Sequence, residues 1–143
     1  MKKPLIVIKS LLLFISISAI SFVFGRRYQQ AYILEHEKDI AQQQPAPHDG
    51  VGMSTAYSFF AKASDLALAF RKRVLKPGSA IGYHLQKEDE IYYIVSGTGV
   101  MKMNGDSFAV KTGDAILTRP GSSHALRQSG TDSLAVIINY PLK

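Results

Sequence analysis

From Val51 to the end of the sequence, the residue pattern predicts an antiparallel β sandwich or barrel. Short runs that alternate apolar with polar residues follow one another closely, and glycine, proline and asparagine separate them. No helix-forming segment lies between these runs, so successive strands are expected to pair in antiparallel fashion. Residues 51–143 have room for about eight or nine strands, which is enough for one domain with a modest core.

The turns between the runs place the individual strands. We predict strands at residues 55–60, 66–75, 80–86, 90–95, 98–103, 106–111, 114–118, 124–128 and 133–140. The clearest turn is Asn104-Gly105, because a two-residue hairpin needs positive φ angles and both residues tolerate them. Strands 98–103 and 106–111 are therefore expected to form a tight hairpin.

The residues before the barrel are predicted to be a connecting segment. Residues 26–44 contain good helix formers, a loose apolar stripe and neither glycine nor proline, which indicates a helical stalk. The run Gln42–Pro47 then ends the helix and is typical of a linker. We therefore assign residues 26–50 to a helical stalk and linker. His36 and His48 lie in these polar stretches and are predicted to be solvated, since no partner lies at metal-ligand spacing.

The first 25 residues have the composition of an apolar targeting helix. Two lysines at the start precede the uncharged run Leu11–Phe24, which is typical of a secretory signal. Counted from Leu5, the segment is long enough to cross a bilayer. Residues 1–25 are therefore predicted to be a cleaved signal peptide or a retained membrane anchor. Either outcome places residues 51–143 in the periplasm or on the outward face of the inner membrane.

Composition and charge exclude several classes of function. The absence of cysteine excludes disulfides, thiolate metal sites and a cysteine nucleophile. The net charge is +6, and the five basic residues at positions 2, 3, 9, 26 and 27 precede the first acid, Glu35. Residues 51–143 contain 11 basic and 7 acidic residues, a net charge of +4 that is ordinary for a single domain. Within the barrel, strand alternation divides the basic cluster Arg71-Lys72-Arg73 between two faces. We interpret this cluster as a solvated strand edge and predict no nucleic-acid binding.

One group of barrel residues has the chemistry of a metal site. His84 and Gln86 are two residues apart, so they share one face of a strand. Glu90 begins the next strand after a charged turn, and an antiparallel return would bring it back beside His84. Together with His124, these residues offer two imidazoles, a carboxylate and an amide oxygen. That set suits a divalent ion such as Mn, Fe, Co, Ni or Zn.

The spacing of these residues resembles the first motif of the cupin superfamily. Five residues separate Gly78 from His84, and three separate Gln86 from Glu90. Six more lead from Glu90 to Gly97. Every position agrees with the motif except Gln86, where cupins have a second histidine.

The second cupin motif follows in register. Five residues separate Gly113 from the tripeptide that begins with Arg119 and ends with Gly121, and two more lead to His124. Three residues separate His124 from Gln128. Arg119 replaces the first proline of the motif, and Gln128 replaces its terminal asparagine.

The resemblance covers roughly residues 74–140, and it implies a jelly-roll barrel of the double-stranded β-helix type. It also implies a divalent transition metal (Mn, Fe, Ni, Co or Zn) inside the barrel, a small-molecule ligand and a homodimer. The implied metal ligands are His84, Gln86, Glu90 and His124. An amide oxygen is a weaker ligand than imidazole, so Gln86 should favour harder ions; alternatively, Gln86 is a pocket amide that binds water or substrate.

Two functions are compatible with the sequence. In the first, an exported enzyme acts on a small oxygen-rich molecule, a carboxylate or a sugar, and Glu90 serves as both metal ligand and proton acceptor. In the second, a non-catalytic and possibly metal-free module binds such a molecule. Arg119 either recognises a carboxylate at the barrel mouth or is a surface arginine of a loop. Tyr92 shares a face with Glu90 and is interpreted as a wall residue, the alternative being a hydroxyl donor to a substrate.

Overall fold

The computed structural model describes residues 31–142, and residues from Leu34 onward form one compact unit. The described part contains a single-turn helix, α1, and ten strands. In chain order they are α1 (Glu37–Ile40), β1 (Gln42–Pro45), β2 (Met53–Phe59), β3 (Leu68–Leu75), β4 (Ala80–Leu85), β5 (Glu90–Ser96), β6 (Thr98–Met103), β7 (Asp106–Lys111), β8 (Ala115–Thr118), β9 (Ser123–Ser129) and β10 (Leu134–Pro141). The nine strands predicted after residue 51 are all present, within two residues at each end.

The strands form two antiparallel sheets. One has six strands in the order β1-β2-β3-β10-β5-β8, and the other has four in the order β4-β9-β6-β7. Every strand pair is antiparallel. The order mixes strands that are distant in sequence, as in a jelly roll, so the prediction of an all-β antiparallel barrel is confirmed.

Strict alternation of buried and exposed residues places the core between the sheets. Along β5, Glu90, Tyr92 and Ile94 are buried, while Ile91 and Tyr93 are exposed. The same period occurs in β3, β6 and β9. The core cluster draws on both sheets and consists of Ala46, Leu75, Ile81, Tyr92, Ile94, Met101, Val110, Leu126, Leu134, Val136 and Ile138. Each large apolar side chain in it stabilises the fold by about 1.5–3 kcal/mol through burial.

The hairpin between β6 and β7 has the predicted geometry. Asn104 has a φ of 48° and Gly105 a φ of 104°. Met103 pairs with Asp106, so only these two residues form the loop. Positive φ at both positions is the mark of the tight turn that matches the strand twist.

The segment ahead of the barrel differs from the predicted stalk and linker. Within the described residues, helix is confined to α1, and the glutamine-rich run forms β1 at the edge of the larger sheet. Gln42 pairs with Ala56 and Pro45 with Met53. Ala46, predicted to lie in a linker, is buried in the core. An edge strand tolerates polar side chains and a proline. The sequence of β1 therefore lacks the apolar alternation by which the other strands were predicted.

The predicted targeting helix of residues 1–25 lies outside the described residues. Among residues 31–142, no helix has the length and apolar character needed to cross a membrane. The division of the chain at residues 25 and 50, and the homodimer, stay predictions.

Candidate metal centre

Strand pairing brings three of the four predicted ligands together inside the barrel. His84 on β4 lies directly opposite His124 on β9. Glu90 begins β5, and its side chain points into the same space. One donor atom from each residue can be chosen so that all three lie within 4.8 Å of one another. Among the described residues, no other group of histidine and acidic side chains meets that condition.

A backbone hydrogen bond orients the ring of His84. Its Nδ1 lies 2.8 Å from the carbonyl oxygen of Gly82. A carbonyl oxygen only accepts, so Nδ1 carries the proton and Nε2 keeps a lone pair for a metal. Desolvation lowers the pKa of His84, although the Gly82 bond opposes the shift. The neutral ring that metal binding requires is therefore favoured.

His124 lies fully buried between two oxygen atoms. Its Nε2 is 3.1 Å from the hydroxyl oxygen of Tyr92 and 3.3 Å from Oε2 of Glu90. Burial, with Glu90 adding to it, raises the pKa of Tyr92 well above its usual range, so this hydroxyl stays protonated. Tyr92 thus does more than form the barrel wall, because it also contacts a candidate ligand.

The donor set fits a divalent cation. Oε2 of Glu90 and Nδ1 of His124 are buried, and neither has a hydrogen-bond partner among the described residues. Buried polar atoms of this kind cost free energy unless they bind something. Two imidazoles and a carboxylate are the ligands that first-row divalent ions bind in proteins. His84, Glu90 and His124 would therefore hold the metal that the cupin resemblance implies.

Gln86 lies on the wall of the same site, but its amide faces the neighbouring turn. The side chain is buried, and its Nε2 donates to the carbonyl oxygen of Glu88 at 2.8 Å. Its backbone is fixed by hydrogen bonds with Ser122 and Gly121. These bonds suit a pocket amide. Whether its oxygen also ligates a metal stays a prediction.

A cavity of about 450 Å³ is lined by two of the candidate ligands, His84 and Glu90, and carries two arginines on its wall, Arg71 and Arg73. Their position corrects the interpretation of the basic cluster as a solvated edge. Alternation does separate Lys72, which pairs with Glu37 at 2.7 Å on the other face. The remaining two arginines lie on the inward face, and Arg73 is only 7% exposed.

The guanidinium of Arg73 is held in place by neutral groups. It donates to Oγ of Ser54 at 2.9 Å. With its amide oxygen turned toward Arg73, Gln44 accepts two further bonds at 2.8 and 3.1 Å. Desolvation, followed by repulsion from Arg71, lowers the pKa of Arg73. Arg73 takes part in no ion pair within residues 31–142.

The structure also places two other residues that the sequence singled out. His48 is exposed and lies outside the group of candidate ligands, as predicted, but it is in contact with one of them. Its ring stacks on His84 with 3.5 Å between centroids and 5° between planes, and it lines the cavity. Partial burial, and then His84, lower the pKa of His48. Arg119 pairs with Asp89 at 3.3 Å with 69% of its side chain exposed, and it does not line the cavity.

Comparison with known families agrees with this geometry. A family model described as the cupin domain matches residues 72–140. Residues 72–140 form a cupin domain. The resemblance drawn from the two motifs is thereby confirmed, and the matched region contains all three candidate ligands together with Gln86, Arg73 and Tyr92.

Two matches from Thermotoga maritima, one in sequence and one in structure, are informative. An oxalate-binding protein is 42% identical over 76 residues, which are 50% of this chain and 63% of that protein. The crystal structure of a predicted oxalate decarboxylase superposes with a TM-score of 0.69 and 28% identity, covering 78% of this chain and 100% of the other. A polyketide cyclase from Streptomyces resistomycificus has a TM-score of 0.65 at 14% identity, covers 78% and 80% of the two chains, and shows the fold alone. The chain spans less than two thirds of the length of the oxalate-binding relative.

Restoring the imidazole of the first cupin motif tests the role of position 86. Gln86→His is expected to raise affinity for Ni²⁺, Co²⁺ and Zn²⁺ relative to Mn²⁺, because nitrogen ligands favour the later metals. Competition titrations against a chelating dye measure the order of affinities. Gln86→Ala, which has neither amide nor imidazole, is the matched control. If Gln86→His and Gln86→Ala rank the metals alike, the side chain at position 86 does not reach the metal.

Proposed function

We propose that this cupin binds a small carboxylate of the size of oxalate between a divalent metal and Arg73. The observation that carries the proposal is the buried guanidinium of Arg73, which lacks an acidic partner among the described residues and lies on the wall of the cavity beside His84 and Glu90. A buried cation without a counter-charge is costly. An anionic ligand in the cavity would supply that charge.

The chemistry of the cavity wall selects a carboxylate over a neutral sugar. Guanidinium and carboxylate match in geometry and form paired, charge-assisted hydrogen bonds. Ser54 and Gln44 already fix Arg73, so little side-chain entropy is lost on binding. Arg71, whose guanidinium carbon lies 5.3 Å from the ring centre of Tyr140, adds positive charge on the same wall.

His84, Glu90 and His124 would hold the metal, which would supply a second positive centre for carboxylate oxygens. Tyr92 would hold His124 in position through their 3.1 Å contact. The names of the two Thermotoga maritima matches, an oxalate-binding protein and a predicted oxalate decarboxylase, support a small carboxylate as the ligand.

Calorimetry with the metal-loaded protein tests this proposal. The protein is loaded with Mn²⁺ and desalted, because oxalate also chelates free Mn²⁺, and is then titrated with oxalate. Arg73→Met is expected to lower oxalate affinity by about tenfold to a hundredfold, the weight of a charge-assisted hydrogen bond. Arg119→Met removes the same charge outside the cavity and should bind as the wild type does. Equal affinities for the two variants would contradict the proposal.

A catalytic role is the second candidate, and the position of Glu90 favours it. Its Oε2 is buried beside His124 and has no hydrogen-bond partner among the described residues, so this carboxylate oxygen is available to a bound ligand. Incubation of Mn²⁺-loaded protein with oxalate under air separates the two functions. Loss of oxalate with release of CO₂ would indicate an enzyme, whereas full recovery of oxalate would indicate a binding module.

We further propose that the cupin works outside the cytoplasm. The support is the charge and apolar pattern of residues 1–25 alone. An alkaline phosphatase reporter fused after Lys143 should be active in a bacterial host, and deletion of residues 1–25 should abolish that activity. Fractionation then distinguishes a cleaved signal, with soluble periplasmic protein, from a retained anchor. Cytosolic protein with an inactive reporter would contradict export.

A further inference from the structure

Residues 46–50, here called the strap, cross strand β4 beside the metal centre. The strap begins at Ala46, which is buried in the core. The carbonyl oxygen of Pro47 accepts hydrogen bonds from the backbone nitrogens of Gly82 at 3.0 Å and Gly50 at 3.2 Å. Just after the strap, Val51 and Ala80 exchange two backbone hydrogen bonds. The strap is therefore tied to β4 at Pro47 and, just beyond its end, at Val51.

Close contact leaves the strap little room to move. A Cβ atom added at Gly82 would lie 1.8 Å from the carbonyl oxygen of His48, and one at Gly50 would lie 2.1 Å from that of Ala80. His48 and Asp49 have positive φ angles of 57° and 54°. Two consecutive non-glycine residues in this conformation cost free energy, and such strain persists where the surrounding structure imposes it. The close contacts and the positive φ angles together hold the backbone of the strap in a conformation that brings His48 to the metal centre.

The strap places the imidazole of His48 against the ring of His84, a candidate metal ligand, and leaves the ring nitrogens of His48 without a partner in the described part of the chain. His48 stacks on His84 and faces the cavity that also contains Arg73. Neither ring nitrogen of His48 has a hydrogen-bond partner among residues 31–142. His48 also lies outside the group of donor atoms that come within 4.8 Å of one another. It is therefore placed to contact a ligand of the metal and not the metal itself.

We propose that His48 is a specificity-determining residue of the cavity, and that its ring N–H donates a hydrogen bond to the carboxylate bound at the metal centre. The inference rests on the proposed function. It adds a recognition group that neither cupin motif contains and that comes from a segment outside residues 72–140. With Arg73, it would give the carboxylate a second polar contact on the protein.

The competing explanation is that His48 only supports the ring of His84 by stacking. A flat apolar ring at position 48 can replace the stacking role but not the donor role. His48→Phe retains a ring for stacking and loses both nitrogens. His48→Ala loses the ring as well. A donor role is lost in both variants, whereas a stacking role survives in His48→Phe.

The test measures oxalate and Mn²⁺ binding by the wild type, His48→Phe, His48→Ala and the control His36→Phe, whose position precedes α1 outside the cavity. We expect His48→Phe to bind oxalate about tenfold more weakly, with Mn²⁺ affinity, measured without oxalate, unchanged. His36→Phe should match the wild type in both. Wild-type oxalate affinity in His48→Phe, or an equal loss of Mn²⁺ affinity, would overturn the role of His48 alone. Failure of the wild type to bind oxalate would overturn the proposed function, and the role of His48 with it.

Discussion

His124→Ala is expected to lower affinity for Mn²⁺ by at least about a hundredfold, because even residues that only orient metal ligands contribute up to that factor. His124 is fully buried, and its Nε2 lies 3.3 Å from Oε2 of Glu90. Its removal leaves His84 and Glu90 as the remaining candidate ligands. Metal content after desalting and a competition titration both measure the loss.

The buried position of His124 requires a second variant, since alanine leaves a cavity in the barrel. His124→Leu fills much of the space and removes both nitrogens. It should fold, because it also removes a buried nitrogen that has no hydrogen-bond partner in the described part of the chain. Circular dichroism and thermal unfolding test whether the His124→Leu protein is folded. His36→Ala is the control for the loss of an exposed imidazole. A folded His124→Leu protein with full metal content would exclude His124 as a ligand.

Gly82→Ala is expected to destabilise the barrel and displace the strap. The added Cβ would lie 1.8 Å from the carbonyl oxygen of His48. Either the strap lifts, breaking the bond from Gly82 to Pro47, or β4 shifts. Overpacking of this kind costs about 1–3 kcal/mol. Urea unfolding measures the loss, and oxalate affinity should fall together with it because His48 is displaced from the wall of the cavity.

Gly113→Ala is the matched control for this prediction. Gly113 has a φ of 93° and no atom within 4 Å of an added Cβ. Alanine at position 113 has the free-energy cost of a positive φ but makes no steric clash. Alanine at position 82 makes the clash without that cost. A smaller loss of stability in Gly82→Ala than in Gly113→Ala would show that the strap is loosely held.

The sequence predicted the strands after residue 51 because each contains its own alternation and its own turn. The candidate ligands were predictable for a similar reason. The cupin motifs record their spacing along the chain, and pairing of His84 with His124 then brings them together. The edge strand β1 escaped prediction, because glutamines facing solvent resemble those of a linker.

The wall of the cavity was not predictable from local pattern. Alternation separated Lys72 from Arg71 and Arg73, but it does not say which face of β3 points inward. His48 depends on a contact between residues far apart in sequence, possible only because Gly50 and Gly82 lack side chains. A glycine at position 50 is compatible with many loops, so the sequence around His48 does not predict that contact.

Strand β1 also determines how the larger sheet meets other molecules. It covers the backbone of β2 with a short run of glutamines that ends in Pro45, a combination that discourages further strands from adding. A chain shortened to begin at Val51 would lose this cover. The unpaired amide and carbonyl groups of β2 would then be open to a strand from another molecule, and self-association would become a competing outcome of folding.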